Sequence, residues 1–204
     1  MGANTAAAET IDRVVASVGN FAITQSDVER QYRLELFLNG QTPAGNPDAA
    51  DLKSVRNRLI DQYLLEREAE TEGGEMPDFS PRATKALAQV RAMFADEELF
   101  QSALRALGMS ESMVLERLQA QERTLYLIDQ RLRPAAWVEE SEVEAYYANT
   151  FVTEYRRRNE GTPPPLEEVG SWIREILIQQ KIDALLATWL EELRSSRRVK
   201  IQSF

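Results

Sequence analysis

Periodicity constrains this chain most. Apolar residues return at three- and four-residue steps in one long segment after another. Leu52, Val55, Leu59, Tyr63 and Leu64 do so within residues 48–71, and Val169, Trp172, Ile173, Ile176, Leu177, Ile182, Leu185, Leu186, Trp189 and Leu193 do so near the C-terminus. That spacing lines one face of an α-helix, which makes the fold mainly α. The C-terminal segment predicts a helix of about 25 residues, roughly 37 Å long and able to brace a whole domain.

Punctuation between these stripes sets the helix boundaries. Ser26-Asp27-Val28-Glu29 has the form of a capping box, predicting a helix from about Asp27 to Asn39-Gly40. Residues 41–47 read as a loop. The helix over 48–71 stops before Gly73-Gly74, and Ser80-Pro81 supplies an N-cap and a proline at N1 for a helix through Leu87, Val90 and Phe94. Further helices are expected from Asp96 to Leu107, closed by Gly108, and from Ser110 to Leu132, with Val114, Leu118, Leu125, Ile128 and Leu132 as its apolar stripe. Pro134 ends the latter. A second capping box, Ser141-Glu142-Val143-Glu144, opens a segment bearing Tyr146, Tyr147, Phe151 and Tyr155, which gives way to a linker through Pro163-Pro164-Pro165.

Two short stretches read differently. Val14-Val15-Ala16-Ser17-Val18 and Phe21-Ala22-Ile23-Thr24 flank the dipeptide Gly19-Asn20, a hairpin signal. The tail Arg198-Val199-Lys200-Ile201-Gln202-Ser203-Phe204 alternates polar and apolar residues as a half-buried strand does. Residues 1–10 read as a disordered lead whose small residues are like those that follow a removed export signal.

Composition removes whole classes of function. The chain has no Cys and no His, which excludes disulfides, thiol nucleophiles, imidazole acid–base groups and the usual zinc sites. Its 24 Lys+Arg against 33 Asp+Glu give a net charge of −9, unfavourable for nucleic-acid binding. No apolar run is long enough to span a bilayer. Neither a dinucleotide fingerprint nor a P-loop is present, so neither a cofactor nor an ATP cycle is expected, and no metal. Glu139-Glu140, Glu142/Glu144 and Glu167-Glu168 sit where helices begin, where negative charge suits the dipole, and are read as such rather than as acid–base pairs. Arg156-Arg157-Arg158 reads as a solvated helix end. Trp172 and Trp189 read as core anchors. Met76, Met93, Met109 and Met113, interleaved with Phe79, Phe94 and Phe100, form an apolar inventory that suits either ordinary core or an adaptable binding surface.

The order of these signals resembles the SurA-like periplasmic chaperones. Residues 11–28, from Ile11-Asp12-Arg13 through the hairpin to Thr24-Gln25-Ser26-Asp27-Val28, are similar to that family's opening. Arg58-Leu59-Ile60-Asp61-Gln62-Tyr63-Leu64-Leu65 is similar to its long second helix, and Trp189-Leu190-Glu191-Glu192-Leu193-Arg194 with Val199-Lys200-Ile201 to its closing helix and strand. The resemblance implies a noncontiguous chaperone module, residues 11–134 and 166–204, in which the hairpin and the C-terminal strand share a small antiparallel sheet. Residues 135–165 are then a short helical, Pro-rich connector. Family members usually carry a parvulin-type prolyl isomerase domain there, which needs about 100 residues. The 31 residues of 135–165 leave no room for one.

The implied function is that of a non-enzymatic, ATP-independent periplasmic holdase for unfolded secreted or outer-membrane polypeptides. The candidate client groove comprises Leu34, Phe37 and Leu38 on the first helix with Met93, Phe94, Phe100, Leu104, Met109 and Met113. An adaptor that docks one fixed partner and a residual isomerase that uses no histidine are the alternatives. A homodimer with exchanged helices is a further arrangement that the sequence leaves open.

Overall fold

The computed structural model describes residues 12–42, 47–71, 76–159 and 161–204. The expected lead over residues 1–10, the centre of the 41–47 loop and Gly73-Gly74 lie outside them. The chain folds into two compact units. One comprises the residues up to Thr124 together with Leu193–Phe204, and the other is Leu125–Glu192.

The first unit holds a three-stranded antiparallel sheet of order β2-β1-β3, with β1 at Val14–Val18, β2 at Phe21–Thr24 and β3 at Val199–Ile201. Gly19 turns the hairpin at φ +57°, a backbone region that glycine enters freely, and its N–H donates to the Arg197 carbonyl at 3.0 Å. β1 pairs with β3 in the register Ala16↔Ile201, Ser17↔Lys200 and Val18↔Val199, so the two ends of the sequence meet as expected.

Three arginines fasten the closing segment to the second helix. With α1 at Gln25–Leu38 and α2 at Ala49–Thr71, Arg194 reaches Asp61 at 2.7 Å and Arg197 reaches Glu68 at 2.7 Å. Arg56, buried on α2, donates to the Gln202 carbonyl at 2.8 Å and lies 5.2 Å from the Phe204 ring. Burial, and then the neighbouring Arg194, pull its pKa below the ordinary arginine value.

α3 (Ser80–Ala92), α4 (Glu97–Leu107) and the first part of α5 (Glu111–Leu132) complete the unit. The Asp96 carboxylate caps α4, and Gly108 ends it at φ +65°. Leu34, Phe37, Ala83, Val90, Phe100, Ala103, Leu104, Val114 and Leu118 form one buried cluster.

Two caps in this unit differ from expectation. α1 is capped by Thr24, whose hydroxyl accepts the Asp27 N–H at 3.3 Å, while the Asp27 carboxylate takes the Thr24 N–H at 3.0 Å. The Ser26 N–H is already served by Asp12 at 3.2 Å, so the box forms two residues earlier than the Ser26–Glu29 pattern implied. At α3 the N-cap position is Phe79, which supplies no side-chain cap, and Ser80 is already helical, its N–H taken by the Asp78 carboxylate at 2.9 Å.

The second unit contains the end of α5, a 3₁₀ turn at Arg133–Ala135, α6 (Glu140–Tyr146), a π-helical turn at Tyr147–Phe151, α7 (Val152–Arg158) and most of α8 (Leu166–Ser196). Here too the cap lies earlier than Ser141. The Glu139 N–H donates to the Glu142 carboxylate at 2.9 Å, and α6 begins at Glu140. Lys181 contacts Glu142 at 2.9 Å, which with the Glu139 amide holds that carboxyl below its ordinary pKa. α8 has 31 residues, longer than the periodic stripe alone marked out.

On α5, Val114, Leu118 and Leu132 of the expected stripe are buried, but Leu125 is 50% exposed and Leu127 is buried in its stead. Trp189 is buried beneath the Arg131 guanidinium, 4.5 Å from its ring, as an anchor should be. Trp172 is not an anchor: it is 56% exposed and meets Phe151 edge-on at 5.9 Å.

Candidate functional site

A solvent-open cavity of about 300 Å³ lies in the first unit. Secondary-structure periods place its walls. Phe21 and Ile23 sit two apart on β2 and share a face, while Asp27, Arg30, Gln31 and Leu34 fall at helical steps along α1. Leu59, Tyr63 and Glu66 do the same on α2. Met109 from the α4–α5 connection and Arg117 from α5 close it.

The lining is apolar with a charged mouth. Phe21 stacks on Tyr63 with ring centroids 4.1 Å apart and planes at 8°, so one face of an aromatic side chain that is 44% exposed rests on a neighbour while the residue stays open to solvent. Leu34 and Ile23 are buried and form the floor. At the mouth, Arg117 pairs with Glu66 at 2.7 Å and Arg30 grazes Asp27 at 3.4 Å. Such a surface can bind an apolar side chain and offer hydrogen bonds to the backbone around it.

The residues expected to form a groove divide into three groups. Leu34, Phe37, Phe100 and Leu104 lie inside the buried cluster, and Leu38, Phe94 and Met109 pack against it half-buried. Phe37, Phe94 and Phe100 form a ring triad with centroids 5.4, 5.5 and 5.6 Å apart. Met93 and Met113 are 57% and 48% exposed. Met93 packs where a side chain on Gly40 would stand, 2.5 Å from its Cβ, so Gly40 serves both its φ of +71° and this close approach.

Of these residues, Leu34 and Met109 line the cavity. Phe21, Ile23, Leu59 and Tyr63 also line it and were not among the expected groove residues. The pattern placed Leu59 and Tyr63 on a helical stripe, but nothing local said that this stripe meets β2.

Among the described residues no helix is long and apolar enough to cross a membrane. A search of curated proteins finds no match. A family model described as the SurA-like N-terminal domain matches residues 1–127, more than half of the 204-residue chain, and covers the hairpin, α1–α4 and most of α5. The chain belongs to this chaperone-type family, the SurA-like N-terminal domain proteins.

Proposed function

We propose that the protein is an ATP-independent periplasmic holdase that binds unfolded segments of secreted or outer-membrane proteins. The observation that carries this reading is the open cavity, where the Phe21–Tyr63 stack, Leu59 and Met109 keep apolar surface in reach of solvent. The exposed Met93 and Met113 extend the apolar surface offered by the unit. Residues 11–134 and 166–204 are taken as the chaperone module and 135–165 as its connector.

Weak contacts suffice. A micromolar complex needs about 8 kcal/mol, naively about 330 Å² of apolar burial at 25 cal/mol per Å², and more once ordering costs are met. Release then needs no nucleotide, because client folding or delivery withdraws the bound segment. The net charge of −9 keeps loaded complexes apart in solution.

The test is suppression of aggregation, by light scattering, for several unrelated denatured proteins without nucleotide. Comparable suppression of all of them supports the holdase. A single saturable partner with no effect on aggregation supports the adaptor reading instead. That second reading is favoured by one feature of the other unit, the aromatic group of Tyr147, Phe151 and Tyr155 beside the exposed Trp172.

A further inference from the structure

The cavity lies beside an open backbone edge, and if it holds polypeptide as proposed above, that edge determines how a client is held. β2 is an outermost strand in the order β2-β1-β3, and the cavity takes Phe21 and Ile23 from β2 but no wall residue from β1 or β3. It therefore lies under the β2 side of the sheet.

The direction of the backbone groups on β2 follows from its neighbours. The Gln202 N–H donates to the Val15 carbonyl at 3.0 Å and the Gly19 N–H to the Arg197 carbonyl at 3.0 Å, so Val15, Ser17 and Gly19 turn their backbone groups toward β3. Those groups alternate in direction along an antiparallel strand, which leaves Ala16 and Val18 to bond Ile23 and Phe21. Ala22, opposite Ser17, thus points its N–H and its C=O away from the sheet, and neither meets a partner among the described residues. The residue is exposed. The next outward donor, the Thr24 N–H, is taken by Asp27 at 3.0 Å. None of the residues Phe21–Thr24 is charged or proline, the usual means of blunting an open edge.

We propose that a client segment adds to the free edge of β2 as a further antiparallel strand. One client residue exchanges both backbone bonds with Ala22, and the residues before and after it, opposite Ile23 and Phe21, face the cavity. Residues directly opposite in an antiparallel pair share a face of the sheet, so those two side chains point the way Ile23 and Phe21 do. Antiparallel pairing fits because only in that sense does a single residue supply both partners for Ala22. Backbone bonds are blind to side chains, so selection rests with the two neighbours of the paired residue. Such a site accepts many sequences but excludes proline or any other N-alkylated residue at the paired position.

The experiment uses the full chain and three peptides with an identical fluorophore, read by fluorescence anisotropy. They are Gly-Ser-Leu-Ala-Leu-Ser-Gly and versions N-methylated at the central Ala or at the Leu after it. Methylation of the Ala is expected to weaken binding about tenfold or more, and methylation of the Leu, whose N–H faces away from β2, about twofold or less. Ala22→Pro removes a bond from the other side. An edge strand admits proline where its N–H faces outward, so helicity and cooperative melting are expected to be retained while affinity for the parent peptide falls about tenfold. A methyl on the Ala no more damaging than one on the Leu, or undiminished binding by a folded Ala22→Pro variant, overturns strand addition while leaving the cavity a binding site. Failure of all three peptides to bind overturns both strand addition and the cavity's role in the proposed function.

Discussion

Two apolar regions of the first unit draw on the same residue types and end with opposite access to solvent. In the Phe37–Phe94–Phe100 triad Phe37 and Phe100 are fully buried among residues of α3, α4 and α5 with Phe94 half-buried at their margin, and the guanidinium of Arg91, tied to Glu111 at 2.5 Å, lies 4.6 Å over the Phe100 ring as an outer cover. The Phe21–Tyr63 stack, with Met109 beside it, has no such cover. Aromatic and methionine content alone does not make a binding surface. What matters is whether a third element arrives to seal it.

The contrast is broken most forcefully inside the triad. Phe100 is fully buried, so Phe100→Ala is expected to cost about 3–5 kcal/mol, read from the urea midpoint at constant slope, whereas Phe21→Ala should cost about 1 kcal/mol, near the worth of a stacked pair. Equal losses at the two positions would mean that the two regions are not distinct. Next in size, removal of residues 196–204 strips β1 of its partner strand and leaves the buried Arg56 without the Gln202 carbonyl. An unpaired buried donor costs about 1–3 kcal/mol, so a loss of at least about 2 kcal/mol in stability is expected. An unchanged melting temperature would show that the strand does not support the hairpin bearing Phe21.

The smallest effect concerns the turn into β3. Arg198 sits at φ +54°, a conformation that costs an L-residue about 1 kcal/mol. Arg198→Gly is expected to raise stability by up to about that amount, visible as a melting temperature a few degrees higher.

Much of the fold was legible because its signals are local. Gly19-Asn20 between β-branched runs gave the hairpin, alternation in the tail gave β3, and Gly108 ended α4 where expected. The caps were misplaced because several candidate capping side chains crowd within a few residues at each site. The choice falls to a neighbour outside the local pattern, as when Asp12 claims the Ser26 N–H. Within a stripe otherwise buried as expected, Leu125 faces solvent and Leu127 is buried, because the register of an apolar stripe depends on what packs against it. A place on a stripe suggests core for Trp172, yet its side chain is largely exposed, with the Phe151 ring steeply inclined to it. The cavity was the least legible part, since the stacking of Phe21 on Tyr63 joins a strand to a helix far along the chain and leaves no trace in either segment alone.

The central claim is that the uncovered region, not the sealed triad, holds unfolded clients. It is tested most directly by diluting a denatured outer-membrane protein into buffer and following light scattering with the wild-type chain or with a Phe21→Ser/Met109→Ser double variant whose helicity and cooperative melting have been verified. The wild type is expected to suppress scattering without nucleotide and the variant to lose most of that suppression. Full suppression by a folded double variant would contradict the claim.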